Sequence, residues 1–258
     1  MTTATHKSKQ KTAKKGAGKA AHKVVKPEED KPDPAKPANL SYQALDKDAT
    51  YGKEFAYTWE LGSAINAKAK QYHVKITTKD WAADYIVAIS VPEVPKVSGQ
   101  RLHRRIAAQF IGFYKAAAKK SLTSHFVSND GAFYPRTITG NSGKLSNHAI
   151  GTAVDLNAST NGYGAVPAKR GKDGSVRELA DFCGDFGLYW GGWYGKHKDG
   201  MHFEAVKVLD EAALKTACTT HGVTYESTWV PAAPPKPAPK PPAPKPGAGA
   251  KAKAPAKK

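Results

Sequence analysis

The two ends of this chain are rich in Lys and Pro, so any fold must be built from the residues between them. Residues 1–40 hold 10 Lys and 4 acidic residues, and residues 231–258 hold 7 Lys and 10 Pro without an acid. Such segments bury too little apolar surface to offset the entropy of ordering, and a Pro-rich chain stays extended. The sequence therefore predicts two disordered basic tails around a body of residues 41–230.

The charge is concentrated in these tails. Of the net charge of +18, the tails carry +6 and +7, so the body is only mildly basic at +5. The tails are interpreted either as solvated linkers or as polycations that concentrate the protein on an anionic partner, which could be DNA, RNA, teichoic acid or phospholipid. Neither tail interleaves aromatic residues with its lysines, and we therefore expect no specific nucleic-acid binding.

Several protein classes are excluded by what the sequence lacks. No window approaches 18 consecutive apolar residues, so a transmembrane segment is not expected. Residues 1–37 contain no apolar stretch of the kind that a secretory leader needs, so no signal peptide is expected. Cys183 and Cys218 are too few for a disulfide scaffold, and we interpret them as buried small hydrophobic residues rather than as a disulfide or catalytic thiols.

The body has two regions, and the sequence indicates the role of only the second. Residues 41–90 form an N-terminal extension of unassigned role, in which a helix around residues 55–70 and strands at residues 74–77 and 85–89 are predicted. From Gln100, apolar side chains recur at helical spacing and predict an amphipathic helix of about 20 residues that also carries Arg101, Arg104 and Arg105. We assign residues 91–230 to the main domain.

The first informative motif is S-N-H-A-I-G-T-A-V-D-L-N, residues 146–157. Gly151 permits a tight turn after His148, and residues 152–157 then read as a short strand. Side chains alternate along a strand, so Val154 and Leu156 face the core while Asp155 returns toward His148. An imidazole and a carboxylate are both ordinary zinc ligands, but two ligands do not close a site.

The second motif, D-G-M-H-F-E at residues 199–204, offers a third ligand. Met201 and Phe203 suit one face of a strand, and His202 and Glu204 suit the other. Three protein ligands with one position left for water are typical of catalytic zinc. The two motifs together therefore predict a zinc site of His148, Asp155 and His202.

The spacing resembles a known family. His148-x6-Asp155 is followed by Asp199-x2-His202, and 46 residues separate Asp155 from His202. This pattern resembles the M15 zinc peptidases of peptidoglycan, which include D-alanyl-D-alanine carboxypeptidases and dipeptidases and the L-alanyl-D-glutamate endopeptidases of phage endolysins. The resemblance extends to F-Y-P-R-T-I-T-G at residues 133–140 and F-G-L-Y-W-G-G-W at residues 186–193, and spans roughly residues 91–206.

The resemblance implies roles for individual residues. It implies Zn²⁺ on His148, Asp155 and His202, Asp199 as the catalytic carboxylate, and Arg136 as the cation that stabilises the scissile carbonyl. Many relatives carry Glu at the position of Asp199, and the shorter side chain needs a closer approach to the reacting atoms. Glu204 either hydrogen-bonds a ligand or sits in a structural ion pair, and Ser146 is a supporting loop residue. Three aromatic residues either line the pocket or belong to the core: Tyr163, Trp190 and Trp193.

The resemblance also implies a fold and a function. The fold class is α+β, a small antiparallel sheet with flanking helices and a zinc site, as in the M15 and hedgehog-like proteins. The expected function is hydrolysis of the peptidoglycan stem peptide at L-Ala–D-Glu by a monomeric phage endolysin, which stays in the host cytoplasm until holin pores release it to the wall. The alternatives are a D-Ala-D-Ala carboxypeptidase or cross-link endopeptidase, a virion-associated lysin, and a non-catalytic wall-binding or polyanion-binding protein on the same fold.

Overall fold

The computed structural model of the chain describes residues 33–42, 45 and 54–230. Short strands and helices alternate in this part, which confirms the α+β class. Of the predicted tails, residues 1–40 and 231–258, residues 1–32 and 231–258 lie outside the described residues, whereas residues 33–40 are described. In chain order the elements are β1 (Trp59–Asn66), β2 (Gln71–Ile76), α1 (Trp81–Tyr85), β3 (Ile86–Ala88), β4 (Arg101–His103), α2 (Arg104–Lys119), β5 (Asn129–Gly131), β6 (Thr137–Ile138), β7 (Asn141–Leu145), β8 (Ala153–Leu156), α3 (Ala158–Asn161), α4 (Arg177–Cys183), β9 (Leu188–Trp190), β10 (His202–Ala205) and α5 (Glu211–Thr220).

A four-stranded antiparallel sheet of order β5-β8-β10-β9 organises the molecule. In its centre, β8 and β10 pair so that Asp155 lies opposite His202 and Val154 lies opposite Phe203. Because side chains alternate along each strand, Val154 and Phe203 enter the hydrophobic core while Asp155 and His202 share the other face. This confirms the alternation that the sequence predicted for both motifs.

Helix α2 packs its apolar face into that core. Ile106, Phe110 and Phe113 are fully buried, and the ring of Phe113 lies 5.7 Å from the ring of Phe203. The helix has 16 residues and begins at Arg104, later than the predicted start near Gln100. Arg101 therefore does not share it, because residues 101–103 pair with β3 as a strand.

The start of α2 is fixed by His103. Its backbone is extended, and its Nδ1 accepts a hydrogen bond from the backbone N–H of Arg105. This contact satisfies one of the backbone donors that a helix leaves unpaired at its first turn. A strand that ends in a capping histidine thus replaces the first turn that hydrophobic periodicity predicted.

The predicted helix around residues 55–70 is wrong. Residues 59–66 form β1 instead, which pairs antiparallel with β2 across a turn that contains Lys70 in the left-handed region (φ 49°). Gly62 has no side chain where a Cβ would approach the carbonyl oxygen of His73 to 3.2 Å. The strands predicted at residues 74–77 and 85–89 are present as β2 and β3, although Tyr85 ends α1.

This hairpin supports the segment that carries Arg136. The backbone N–H of Val74 donates to the carbonyl of Pro135 (2.9 Å), and that of Tyr72 donates to the Thr137 hydroxyl (3.1 Å). His73 and Arg136 also form an antiparallel bridge. Part of the N-terminal extension of unassigned role therefore buttresses a predicted site residue.

Two further expectations can be compared with the described residues. Cys183 and Cys218 are buried and free, as predicted for small core residues. Among the described residues, none of the helices combines the length and apolar character that crossing a bilayer needs.

Candidate metal centre

Three potential ligands converge at one end of the β8–β10 pair. Asp155 and His202 face each other across these strands, and His148 comes from a short 3₁₀-helix, residues 147–150, just before β8. Gly151 ends that helix with φ of +69°, and a Cβ there would lie 2.8 Å from Ile86 and 2.9 Å from the backbone nitrogen of His103. Only glycine combines this backbone conformation with such a close approach, so Gly151 places His148 beside Asp155.

The ligand atoms lie at distances that suit one small metal ion. Nε2 of His148 is 3.2 Å from Asp155 Oδ2 and 3.2 Å from His202 Nδ1, and His202 Nδ1 is 3.0 Å from Asp155 Oδ1. Tetrahedral zinc with bonds of about 2.0–2.1 Å separates its ligand atoms by roughly 3.3 Å. The donor set and its spacing therefore fit a zinc ion.

Hydrogen bonding orients the first imidazole for this purpose. Nδ1 of His148 donates to the carbonyl of Ala132 at 2.8 Å, which leaves the lone pair of Nε2 directed at Asp155 and His202. The backbone N–H of His148 donates to the Ser146 hydroxyl at 3.3 Å. This bond places Ser146 at the start of the short 3₁₀-helix that carries His148.

The electrostatics of the cluster favour a cation. Burial alone would raise the pKa of Asp155, but the charges of His148 and His202 and their hydrogen bonds outweigh burial and hold this pKa well below its usual range. Burial would lower the pKa of His202, whereas Asp155, Glu204 and Asp199 together raise it to about 9. Both shifts arise from the attraction between the carboxylates and the positive charge of the protonated imidazoles, and a bound metal ion would supply that positive charge in place of the protons.

Asp199 lies at the wall of the adjoining cleft, which has a volume of about 460 Å³ and is lined by His148 and His202 as well. Its Oδ1 is buried and has no hydrogen-bond partner among the described residues. Burial raises the pKa of Asp199, and the charge of Asp155 adds to the rise, against the opposing effects of His202, His148 and Arg136. The carboxylate is thus close to the metal cluster without being one of its three ligands.

Arg136 also lines this cleft. Its Nη2 lies 3.9 Å from Asp155 Oδ2, and its side chain is 18% exposed. Its carbonyl accepts a hydrogen bond from Ser146 N–H at 3.0 Å, and β2 holds the preceding residue. The guanidinium therefore points into the cleft from a backbone that is fixed on both sides.

Glu204 lies behind the second histidine and is fully buried. Its Oε1 is 3.9 Å from His202 Nε2, and its carboxylate accepts hydrogen bonds from the Asn147 amide and the Tyr194 hydroxyl. Glu204 was expected from the sequence, whereas Asn147 and Tyr194 were not. Asn147 is adjacent to His148 in the motif, whereas no local pattern connects Tyr194 with Glu204.

The aromatic residues near the site divide between core and cleft. Tyr163 lines the cleft, together with Tyr42 and Tyr194, which were not expected from the sequence. Trp190 is a core residue whose Nε1 donates to the Gly200 carbonyl at 2.7 Å. Trp193 donates to the Pro34 carbonyl at 2.7 Å and lines a different cavity.

Residues 139–205 match a family model described as D-alanyl-D-alanine carboxypeptidase, of the M15 peptidase class. The matched segment contains the three candidate ligands, Asp199 and Glu204, whereas Arg136 lies just before it. No curated protein sequence and no solved structure matches the chain. The family match supports an M15-type peptidase that acts on peptidoglycan.

Proposed function

We propose that this protein is a zinc peptidase that hydrolyses the stem peptide of bacterial peptidoglycan, and that it cuts the L-Ala–D-Glu bond as a phage lysis enzyme. The observation that carries the proposal is the cluster of His148, Asp155 and His202 at a cleft that Asp199 and Arg136 also line. A non-catalytic relative would be expected to lose a ligand, the acid–base group or the cation. All five residues are present in this chain.

The proposed reaction assigns a separate task to each group. Zinc, when bound, supplies a Lewis acid that lowers the pKa of a water molecule toward about 7 and polarises the scissile carbonyl. Asp199 accepts the proton that the attacking water loses and delivers it to the departing amine nitrogen. Its buried Oδ1, which has no hydrogen-bond partner within the described ranges, and its raised pKa suit a carboxylate that must hold this proton between the two steps.

Arg136 stabilises the negative charge that develops on the carbonyl oxygen during the reaction. A guanidinium keeps its positive charge at any physiological pH and offers several N–H donors in a planar fork. The hydrogen bonds around Pro135 and Ser146 fix its backbone, so little reorganisation is needed during the reaction. In the substrate-free protein the nearby carboxylate of Asp155 balances part of its charge.

The cleft suits an anionic peptide. Lys144, Lys196 and His197 line it in addition to Arg136, whereas Asp199 is its acidic lining residue. The D-Glu residue of the stem is linked through its side chain, so its α-carboxylate is free next to the L-Ala–D-Glu bond. A terminal D-Ala-D-Ala bond likewise has a free carboxylate beside it. The matched family's description favours this second bond, and we therefore retain D-Ala-D-Ala carboxypeptidase activity as the alternative.

Muropeptide analysis tests the proposal directly. Purified full-length protein is incubated with peptidoglycan and with soluble muropeptides, and the products are identified by mass spectrometry with and without a chelator. Release of peptides that begin with D-Glu supports the proposed bond, and release of single D-Ala supports the alternative. The Asp199→Asn variant is the matched control for a contaminating hydrolase. Product formation that persists in metal-free protein would overturn the zinc mechanism.

A further inference from the structure

A segment outside the family match, residues 33–42, lies against the body beside the cleft. The carboxylate of Asp33 pairs with the guanidinium of Arg177, and the Pro34 carbonyl accepts the 2.7 Å hydrogen bond from Trp193. Leu40 is only 8% exposed and packs in a small apolar cluster with Tyr189 and Val206. We call residues 33–42 the N-terminal strap, which is held at both of its ends.

The N-terminal strap contributes one aromatic side chain, that of Tyr42, to the wall of the cleft. Two residues beyond Leu40, the ring of Tyr42 packs edge-on against Tyr189 at 5.4 Å and Tyr194 at 5.6 Å between centroids. Tyr42 nevertheless remains 51% exposed, and it lines the same cleft as His148 and His202. A large aromatic side chain that is held by its neighbours but left half open offers a preformed contact surface.

The part of the cleft wall around Arg136 has a different character. It is formed by the β2 and β6–β7 region and contributes Gln71, Arg136 and Lys144, which are polar or basic. The side that contains Tyr42 also holds Tyr194 and Tyr163, and the ring of Tyr163 lies 5.9 Å from that of His197. The cleft therefore has a basic wall, around Arg136 and Lys144, and an aromatic wall, around Tyr42 and Tyr194, to which Lys196 and His197 add positive charge.

We infer that Tyr42 is a substrate-positioning residue, through which the N-terminal strap completes the substrate cleft of the peptidase. The inference rests on the proposed function, because it assigns a contact to the substrate of that reaction. A stem peptide on its muramyl sugar presents anionic carboxylates together with alanine methyls and the C–H face of a sugar ring. The basic wall suits the first group, and the aromatic wall suits the second.

Tyr42 contributes to binding and not to the chemical step. Neither Tyr189 nor Tyr194, on which its ring packs, is a candidate metal ligand, and Tyr42 lies outside the cluster of His148, Asp155 and His202. An aromatic contact of this kind is worth about 0.5–1.5 kcal/mol, which corresponds to a roughly 2- to 12-fold change in binding. Removal of the ring should therefore act on KM.

The experiment compares Tyr42→Ala, Tyr42→Phe and a control, Tyr225→Ala, in the full-length zinc-loaded protein. Tyr225 is a half-buried tyrosine that packs on Trp229 and does not line the cleft. For each protein, kcat and KM are measured on a soluble muropeptide, and zinc content and thermal unfolding are recorded. We expect Tyr42→Ala to raise KM about 2- to 12-fold with kcat within twofold and zinc content unchanged, while Tyr42→Phe and Tyr225→Ala keep the wild-type KM.

Each contrary outcome has a distinct meaning. An unchanged KM in Tyr42→Ala, with an active wild-type protein, overturns the role of Tyr42 alone. A fall in kcat accompanied by loss of zinc shows that the strap only supports the metal centre, which also overturns the inference. An equal rise of KM in Tyr42→Phe excludes the ring contact. A wild-type protein that cleaves no stem peptide overturns the proposed function and, with it, this inference.

Discussion

Glu204 stands behind His202 on the same face of β10, with Oε1 3.9 Å from Nε2 of an imidazole whose Nδ1 is 3.0 Å from Asp155 Oδ1. A carboxylate beside the outer nitrogen of a ligating histidine fixes its tautomer and makes it a better donor to the metal. The Asn147 amide and the Tyr194 hydroxyl hold this carboxylate in place. Glu204 thereby connects the metal cluster to the cleft wall.

The first prediction concerns zinc affinity. Glu204→Gln preserves the size of the side chain but removes its charge, so we expect zinc to bind about 10- to 100-fold more weakly. A titration against a competing chelator measures the affinity. Glu211→Gln is the control, because Glu211 forms an exposed ion pair with Lys215 on α5. Equal affinities in all three proteins would assign Glu204 to a purely structural ion pair.

The second prediction separates Asp199 from the ligands. Asp199→Asn should retain one zinc per chain and its fold, because Asp199 is not one of the three ligands. Loss of the proton acceptor should lower kcat by about 10²- to 10⁴-fold. Metal analysis and single-turnover hydrolysis of a muropeptide are the measurements, with His148→Ala as the variant that should lose zinc. Turnover at the wild-type rate would remove Asp199 from the mechanism.

The third prediction concerns Arg136. Arg136→Ala should bind zinc normally and lose roughly 2.7–4 kcal/mol of transition-state stabilisation, or about 10²- to 10³-fold in kcat. Arg136→Lys should recover only part of this loss, since an ammonium lacks the planar fork of donors. The comparison of kcat among the three proteins decides the role. If kcat is unchanged in Arg136→Ala, the guanidinium serves only to pair with Asp155.

The sequence predicted the two strands that carry Asp155 and His202 better than their surroundings for a local reason. Alternation within residues 153–156 and 202–205 determines which side chains share a face, and both strands follow it. Strand β1 was misread because its residues are exposed or half-buried along its whole length, so no hydrophobic period marks it. Its structure depends on pairing with β2, which composition does not reveal.

No local sequence pattern predicts contacts between residues that are far apart in the chain. Tyr42 meets Tyr194 across about 150 residues of chain, and Asp33 meets Arg177 across a similar separation. The composition of residues 1–40 predicted a disordered tail, yet residues 33–40 find apolar and charged partners on the body. Burial of a few side chains against an existing surface is sufficient to order a Pro-containing segment, whose backbone has little entropy to lose.

The fourth prediction is a pH dependence of stability that originates at His103. Burial lowers the pKa of His103 to about 4, with help from Arg105 and Arg104 and against the hydrogen bond to the Glu54 carbonyl. Between pH 6.5 and 4 the unfolded chain therefore binds a proton that the folded chain does not, so stability falls as the pH falls. The full effect of this shift is about 3 kcal/mol.

His103→Asn tests this prediction, because asparagine can still accept a hydrogen bond at the start of α2. Denaturant unfolding of both proteins is measured at several pH values between 7 and 4. The variant should be less stable at pH 7, since it loses the ring stack on Phe55 (4.1 Å), but it should lose less stability on acidification. The metal ligands titrate in both proteins, so the difference between the two curves isolates His103. Parallel curves would contradict the assignment.

The last prediction concerns the C-terminal tail, residues 231–258, with its 7 Lys and no acidic residue. A protein that lacks only this tail should hydrolyse soluble muropeptides as fast as the full chain, because the described part of the cleft contains no residue beyond His202. The N-terminal strap is retained, since it contacts the body. On intact walls the full chain should bind and lyse better at low salt, because its cationic tail is attracted to anionic wall polymers.

Ionic strength distinguishes this attraction from other causes. The advantage of the full chain should shrink as the Debye length falls from about 10 Å at 0.1 M salt to about 3 Å at 1 M. Wall sedimentation and turbidity measurements across this range, made on both proteins in parallel, give the two salt profiles. Superimposable profiles would make the tail an inert extension. A loss of activity on soluble muropeptides would instead place the tail in the folded enzyme, since screening cannot affect a substrate that needs no adsorption.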